Sequence, residues 1–432
     1  MRERALAIAA VVAVLAAYVF YASRGTFRFP LGPWGQSYYA NLAEGFLGGQ
    51  LSMTSAPSEE LKRLADPYDF AQRGGVPVLW DASYLEGRYY LYFSPVPVLL
   101  FYAPVRLIAG AYPSDAFAAC FFACIAFLFF AAVVRRARPK QLPLWLWILL
   151  VGVGNVIPFV ITGVLFYQVA VACAMTFTAA WMYAATRFVE TPSSRWAMAM
   201  GLFLGLAIAT RPNLAVLLVV QALIVFRHRR LLVHAALPLL AIGCALAAYN
   251  YARFRDPFEF GVSYQLARVP MQGRTVCGVC GPGELPRLAN HISHYVFWPV
   301  LFHGRFPYVW VQNHRLDPAV TYPGEPEPIA GIAPVTPLAL VGTFFALLLG
   351  WRRQHFLFGG WLVLLTLSSC WWVTARYTLD FLGLILLGAV LNIEAGLALL
   401  AERGVPVRGV RWACAALAVY SVVVGMLLPI TR

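Results

Sequence analysis

The chain has 432 residues, of which 61% are hydrophobic and only 12% are charged. Soluble domains carry roughly 25% charged residues, so this composition excludes a soluble globular protein and predicts a polytopic membrane protein. The formal net charge is +14. The basic residues are scattered through short loops between apolar stretches, which favours a role in membrane topology over nucleic-acid binding.

Apolar stretches recur along the whole chain. A helix that crosses a bilayer needs about 20 mostly apolar residues, and by that rule the sequence predicts about eleven spans. They lie near 5–22, 113–134, 142–163, 168–186, 196–210, 213–226, 231–250, 331–350, 356–374, 378–400 and 410–429. The first run is long and has no small-x-small cleavage site after it, so we expect a retained helix rather than a signal peptide.

These spans divide the chain into predicted units. The units are helix 1 (1–22), an outer loop (23–112), helices 2–7 (113–250), a second outer loop (251–330) and helices 8–11 (331–432). Sixteen basic residues fall in the N-terminus and the loops on its side, whereas three fall in the short opposite loops and the tail. Because basic residues concentrate in cytoplasmic loops, the N-terminus is predicted to be cytoplasmic and both long loops extracytoplasmic.

The two long loops carry their own structural patterns. Residues 38–49 place apolar side chains at helical spacing, and 96–110 form a short, proline-punctuated apolar run. We expect the second run to be an interfacial or re-entrant helix, with Arg106 and Tyr102 facing the lipid headgroups. The loop at 251–330 is rich in aromatic residues, Pro and Gly, which predicts a small folded cap rather than disorder.

Eight cysteines are present, and six of them lie in apolar spans, where we expect small core residues. Cys277 and Cys280 form a CGVC motif in the second outer loop. A zinc site needs about four ligands, so a local disulfide is the expectation, with a redox site as the alternative. His291 and His294 are three residues apart and no HExxH motif occurs. No metal or other cofactor is therefore predicted, although a divalent metal stays open.

Three arginines at the predicted outer border are candidate anion ligands. They are Arg211 in ATRPN, Arg253 in YARFRD and Arg376 in ARYTLDF. Charged residues at membrane borders are costly, and the planar guanidinium suits a phosphate. The alternative is that each side chain reaches the headgroups alone. Asp380 is a candidate partner of Arg376.

Asp81 is the first candidate for a general base, because it lies shortly before the predicted interfacial helix. A base must lie beside its substrate, and the competing outer carboxylates are Asp69, Asp66, Glu44 and Glu86. The alternative for Asp81 is a turn or capping role in DASY.

Several short motifs together resemble a known family. They are YYANLAEGFLGGQL (38–51), GRYYLYFSPVPVLLFYAPVRLIAG (87–110), GLAIATRPN (205–213), YNYARFRDPFEFGVSYQL (249–266) and ARYTLDF (375–381). In their order and style the chain resembles the GT-C superfamily of membrane glycosyltransferases. It is most similar to bacterial relatives of the dolichyl-phosphate-mannose protein mannosyltransferases and of the aminoarabinose transferase of lipid A.

The resemblance implies an all-α polytopic fold of GT-C type in the bacterial cytoplasmic membrane, with the active site facing the periplasm. Members transfer a sugar from a polyprenyl-phosphate carrier to an acceptor, here a lipid, glycan or protein of the envelope. They usually carry an acid near the end of the first span. This chain has Gly35, Gln36 and Ser37 there, and Ser94 where relatives often have a basic residue. The acid is therefore expected at Asp81 or Asp69.

The remaining roles follow from that resemblance and the outer arginines. Arg211, Arg253 and Arg376 are expected to hold the donor phosphate. The expected contacts to sugar or acceptor are Arg88, Tyr89, Tyr90, Tyr92 and Tyr264. Two alternatives stay open, a transporter or flippase of lipid-linked sugars and a non-catalytic envelope assembly protein. Transporters tend to show repeated halves and helices broken at mid-membrane. The sequence shows no repeat, and its charged residues lie at the outer border rather than within the spans.

Overall fold

The architecture is taken from a computed structural model, which describes residues 2–33, 35, 37–268, 271, 285–313, 327–350, 354–370 and 372–431. The α-helices are α1 Arg2–Ala22, α2 Tyr38–Leu47, α3 Glu59–Arg63, α4 Ala103–Ala109, α5 Asp115–Ala137, α6 Leu144–Val153, α7 Ile157–Val160, α8 Phe166–Glu190, α9 Ser194–Thr210, α10 Leu217–Val225, α11 Leu232–Phe254, α12 Leu285–Phe297, α13 Ile332–Val335, α14 Leu338–Leu349, α15 His355–Ser368, α16 Thr378–Glu402 and α17 Arg408–Leu427. The strands are β1 Leu31–Gly32, β2 Ser83–Leu85, β3 Arg88–Tyr90, β4 Tyr112–Pro113, β5 Val300–Phe302, β6 Val309–Asn313 and β7 Pro328–Ile329.

Long apolar helices dominate the described residues, as a membrane protein requires. Six helical segments there are long and apolar enough to cross a bilayer. One of them, Pro212–Phe254, contains two of the predicted spans and changes direction at His228, whose φ of −123° and ψ of 58° are not helical. Several other predicted spans correspond to apolar helices of 10–17 residues, so the total of about eleven stays a prediction.

The helices pack closely where small residues face each other. Gly342 of α14 lies against α16, and a Cβ at this position would lie 2.3 Å from the Cα of Ala389. Non-bonded carbon atoms do not approach so closely, so the absence of a Cβ on Gly342 allows the two helix backbones to meet here. In contrast, a Cβ on Gly243 of α11 would meet no atom within 4 Å.

The two ends of the helix bundle differ in character. At one end the long loops meet, because Ser83 of the first forms an antiparallel bridge with Gln265 of the second. We call this the loop end. At the other end the Glu394 carboxylate accepts hydrogen bonds from the backbone N–H groups of Lys140, Gln141 and Leu142, at 2.7 to 2.9 Å. We call this the basic end, and Glu394 stabilises the loop between α5 and α6 there.

An open cavity of about 530 Å³ lies at the basic end. It is lined by Arg135, Arg136, Arg138 and Glu190. Glu190 accepts from both Arg136 and Arg187, so the arginines outnumber the carboxylate that pairs with them. This surplus fits the topogenic role expected of basic residues in short loops.

Residues 98–109 form the short helix expected before α5. A π-helical turn, Val98–Tyr102, leads into α4, which is capped at its C-terminus by Gly110 with φ +70°. Leu107 and Ile108 are 73% and 87% exposed, as a helix on a lipid surface would leave them. The expectation for Tyr102 was wrong. Its ring is fully buried and its hydroxyl donates to Asp115, the first residue of α5, at 2.5 Å.

A second difference from prediction concerns broken helices. The span predicted at 142–163 divides into α6 and α7, with a break at 154–156. Asn155 closes the break, since its Nδ2 donates to Val151 O at 3.0 Å and its Oδ1 accepts from the Ile157 N–H at 2.8 Å. Thr336 donates to Gly154 O at 2.7 Å. The span predicted at 142–163 is therefore interrupted, but the backbone groups freed at the break are satisfied inside the protein.

The described part of the second outer loop is folded. It contains α12 and a three-stranded antiparallel sheet in which β6 lies between β5 and β7. Val300 pairs with Val311, and Gln312 pairs with Ile329. Cys277 and Cys280 lie outside the described residues, and so does the disulfide expected between them.

Candidate active site at the loop end

Asp81 lies in a strained turn just before the β2–β3 hairpin. Its φ is +59°, a left-handed conformation that is uncommon for any residue other than glycine. The Asp81 N–H donates to Leu266 O at 3.3 Å, and the Leu266 N–H donates to Ala82 O at 2.9 Å. Contacts from the second outer loop therefore hold the turn. Such strain persists only where the surroundings impose it, and it concentrates at functional sites.

The Asp81 carboxylate is surrounded by hydrogen-bond donors. The hydroxyl of Tyr167, in the first turn of α8, donates to its Oδ2. The Gln265 side chain also hydrogen-bonds it. Burial raises the pKa of Asp81, and its partners Tyr167 and Gln265, with the charges of Arg376 and Arg73, oppose that rise without cancelling it. A carboxylate with a raised pKa is a stronger base than an ordinary aspartate.

Arg376 lies on the other side of Tyr167. Its guanidinium carbon is 4.5 Å from the centroid of the Tyr167 ring, while the Tyr167 hydroxyl donates to Asp81. The Arg376 Nη1 donates to both oxygens of Glu327, at 2.9 and 2.8 Å. The pair predicted between Arg376 and Asp380 was therefore wrong. Arg376 lies in a 3₁₀ turn, Ala375–Tyr377, before α16 begins, so helical i,i+4 spacing does not apply.

Asp380 instead pairs with Arg211. Its Oδ2 accepts from Arg211 Nε at 3.1 Å and Nη2 at 2.8 Å, and from Asn213 Nδ2 at 3.0 Å. The side chains of Arg211 and Asp380 are 10% and 0% exposed. The ring of Tyr377 lies 4.8 Å from the Arg211 guanidinium carbon and 5.5 Å from that of Arg376. Arg211 and Arg376 thus both lie against the Tyr377 ring, but Arg211 is buried in an ion pair with Asp380.

Arg253 belongs to a different cluster, which we call the Phe254 cluster. Its guanidinium donates to Leu91 O at 2.8 Å and to Asn250 Oδ1 at 2.7 Å. It lies 3.9 Å from the Tyr249 ring centroid and 4.5 Å from that of Phe254. Protein acceptors and aromatic rings therefore surround this buried side chain, and its expected role as a phosphate ligand stays a prediction.

The expected sugar or acceptor contacts separate into two groups. Tyr90 and Tyr264 pack on Phe254, with ring centroids 5.4 and 5.5 Å away, and belong to the Phe254 cluster. Tyr89 is buried, and its hydroxyl accepts from the Leu79 N–H at 3.4 Å. Arg88 is exposed at the turn end of the hairpin. The resemblance implied contacts to sugar or acceptor for these four residues, and that role stays a prediction, since in the structure they hold packing or surface positions.

Tyr92 is the member of that set that faces Asp81. Burial raises the pKa of the Tyr92 hydroxyl, and the next largest influence is the negative charge of Asp81. Tyr38, at the start of α2, is also near. Burial and then the Asp81 charge raise its pKa to about 12. Both hydroxyls thus stay protonated, but that of Tyr38 donates to Trp80 O at 2.8 Å.

Asp69, the second candidate base, holds its own turn. Its Oδ1 accepts from the Ala71 N–H at 2.9 Å and its Oδ2 from Gln72 Nε2 at 3.2 Å. The pattern is that of an Asx turn, which gives Asp69 a structural role, and its assignment as a catalytic acid stays a prediction. Burial lowers the pKa of Arg73, and the charges of Asp69 and Asp81 oppose this shift without cancelling it, so Arg73 lies near both carboxylates.

Four contributors to the site were not identified from the sequence. They are Tyr167, Glu327, Gln265 and Arg73. Tyr167 carries one usable signal, an aromatic residue at the predicted border of a span. Glu327 lies in PGEPEP, where nothing distinguishes it from Glu325. The site joins distant parts of the chain, and no local pattern reports such contacts.

Within the described ranges, no group of three or more His, Cys, Asp and Glu residues is placed to hold a metal ion. The Nδ1 atoms of His291 and His294 lie 2.9 Å from Ser368 O and 2.7 Å from Asn290 O, respectively. No protein-family model matches this chain, and no curated protein matches it in sequence.

Proposed function

We propose that the protein is a membrane glycosyltransferase that moves a sugar from a polyprenyl-phosphate donor to an acceptor hydroxyl in the cell envelope. One observation carries the proposal. Asp81 and Arg376 contact opposite parts of Tyr167, the hydroxyl and the ring face, at the loop end. A base and a cation are thereby held close together, as transfer from a phosphate-linked sugar requires.

The reaction assigns a separate task to each group. The Asp81 carboxylate takes the proton of the acceptor hydroxyl as its oxygen bonds to the anomeric carbon of the sugar. The bond from that carbon to the phosphate oxygen breaks, and polyprenyl phosphate leaves with the electron pair. Arg376 stabilises the charge that develops on the phosphate. Tyr92 supplies a neutral donor for a sugar hydroxyl, and the buried pair of Arg211 and Asp380 positions Tyr377.

The topology that this function needs is part of the proposal. About eleven spans with a cytoplasmic N-terminus place the loop end on the periplasmic side. A cysteine replacing Ser58 is then expected to react with a membrane-impermeant thiol reagent in spheroplasts, and one replacing Ser194 is not. Labelling of the Ser194 position alone would reverse the orientation and remove Asp81 from the donor's side.

Transfer itself is tested with purified protein in nanodiscs. Polyprenyl-phosphate hexose and pentose donors are supplied with envelope extract as acceptor, and release of polyprenyl phosphate is measured. We expect Asp81→Asn to lower turnover by about 10²-fold while donor binding is kept. Asp69→Asn is the matched control, because it removes the same charge from the same loop and should retain activity. Near-normal turnover by Asp81→Asn would refute the assignment.

A transporter of lipid-linked sugars is the second candidate, and the break between α6 and α7 favours it. Broken helices in transporters usually line a substrate or ion site. Here Asn155 is fully buried and hydrogen-bonded to its own helix, which leaves the break closed. Proteoliposomes distinguish the two functions. Movement of a fluorescent lipid-linked sugar between leaflets that survives Asp81→Asn would establish transport, whereas a non-catalytic assembly protein would show neither activity.

A further inference from the structure

Glu327 occupies a ring of converging donors beside the candidate base. Its Oε1 accepts from Trp372 Nε1 at 3.1 Å, and its Oε2 accepts from the Thr374 hydroxyl at 2.5 Å. Arg376 Nη1 donates to both oxygens. An indole N–H, a hydroxyl and a guanidinium, all from residues 372–376, therefore converge on one carboxylate. We call these three side chains the anion receptacle.

This constellation differs from the neighbouring ion pair in its access to solvent. The side chains of Arg211 and Asp380 are 10% and 0% exposed, whereas those of Arg376 and Glu327 are 15% and 28% exposed. Breaking a sealed pair leaves a charge buried without compensation. A carboxylate that reaches water can leave its partner at much lower cost, because water solvates it at once.

The surroundings of the receptacle fit a phosphate better than a permanent carboxylate. A phosphate monoester has three terminal oxygens and up to two negative charges, and the receptacle offers donors from three side chains, Trp372, Thr374 and Arg376. Tyr167 links the receptacle to the candidate base, because its ring lies 4.5 Å from the Arg376 guanidinium carbon and its hydroxyl donates to Asp81.

We propose that Trp372, Thr374 and Arg376 form the binding site for a lipid phosphate monoester, and that the Glu327 carboxylate fills this site until the phosphate displaces it. The inference rests on the proposed function for its choice of a lipid phosphate. Glu327 sits directly before β7, which pairs with β6, so its backbone is anchored. Displacement therefore takes place by rotation of the side chain. Glu327 balances the charge of Arg376 in the empty site and lowers the apparent affinity for the lipid.

Binding of farnesyl phosphate to the purified full chain tests the proposal by calorimetry. We expect Glu327→Gln to tighten binding by about tenfold, which corresponds to about 1.4 kcal/mol, since a neutral amide competes less well than a carboxylate. Glu190→Gln is the matched control, because Glu190 is likewise a partly exposed carboxylate paired with arginine but lies at the basic end. Unchanged affinity in a folded Glu327→Gln protein, or an equal gain in Glu190→Gln, would overturn the proposal.

A second variant avoids any dependence on Glu327. Thr374→Val removes one donor and is expected to weaken farnesyl phosphate binding by about tenfold. Thr374→Ser, which keeps the hydroxyl, should retain it. Equal binding by the serine and valine variants would contradict the assigned donor set.

The ligand's source and the enzyme assignment are separated by further probes. Farnesol lacks the phosphate and should gain nothing from Glu327→Gln. Inorganic phosphate should compete only weakly, and competition as strong as that of farnesyl phosphate would refute a lipid source. Phosphate binding that tightens in Glu327→Gln without any sugar transfer would support the site and refute the transferase. Asp81-dependent transfer with no effect of Glu327→Gln on phosphate binding would support the transferase and refute the site.

Discussion

Replacing Asp380 with asparagine tests whether Arg211 is structural. The Asp380 Oδ2 accepts from Arg211 twice and from Asn213 once, and the carboxylate is fully buried. The substituted amide would keep an acceptor of the same shape but would leave the guanidinium without a counter-charge. Removing one partner of a buried pair costs about 3–5 kcal/mol of stability. Because the amide retains an acceptor, Asp380→Asn should lower the free energy of unfolding by about 3 kcal/mol.

The exposed pair provides the comparison. Glu327 is 28% exposed, so Glu327→Gln should cost about 1 kcal/mol or less. Unfolding of both variants can be followed by tryptophan fluorescence in mixed detergent micelles. Replacing both partners, as in Arg211→Met with Asp380→Leu, should restore most of the stability, because neither charge is then buried alone. A cost below about 1 kcal/mol for Asp380→Asn, or a larger cost for Glu327→Gln, would refute the distinction between the two pairs.

Four further predictions concern packing and protonation. Gly342→Ala should destabilise the protein by about 1–3 kcal/mol in the same unfolding assay, while Gly243→Ala, with open space around it, should be neutral or stabilising. Turnover should rise with pH through the raised pKa of Asp81. The acid limb of the pH profile should therefore lie above the ordinary aspartate pKa of about 3.9. Over that same window the folded state holds the Asp81 proton longer than the unfolded state, so stability should fall as pH rises, and Asp81→Asn should abolish this fall. Tyr167→Phe removes a donor to Asp81 and should move the acid limb to still higher pH; an unchanged limb would exclude the contact.

The helices could be predicted because hydropathy and spacing are local properties. The helical spacing over 38–49 corresponds to α2, Tyr38–Leu47, and the apolar run at 96–110 corresponds to the helical stretch 98–109. Tyr102 shows the limit of such patterns. The run around it is apolar on every side, so nothing in the sequence distinguishes its buried face from its exposed one.

The site could be predicted only in part, because its contacts join residues far apart in the chain. Asp81 and Arg376 were chosen for their charge at a predicted border, and both contact Tyr167, Asp81 at the hydroxyl and Arg376 at the ring face. Their partners depend on tertiary packing. Asp380 was assigned to Arg376 from spacing, whereas α16 turns it toward Arg211. The resemblance implied that Tyr90 and Tyr264 contact the sugar or acceptor, whereas in the structure both pack on Phe254.

The central claim is that Asp81 and Arg376 belong to one donor site, and a cryo-EM map of the protein in nanodiscs with farnesyl phosphate tests it directly. We predict phosphate density within hydrogen-bonding distance of Arg376 and on the same side of the bundle as the Asp81 carboxylate. Phosphate density at the basic end beside Arg135 and Arg138, with the pair of Arg376 and Glu327 intact, would contradict the claim.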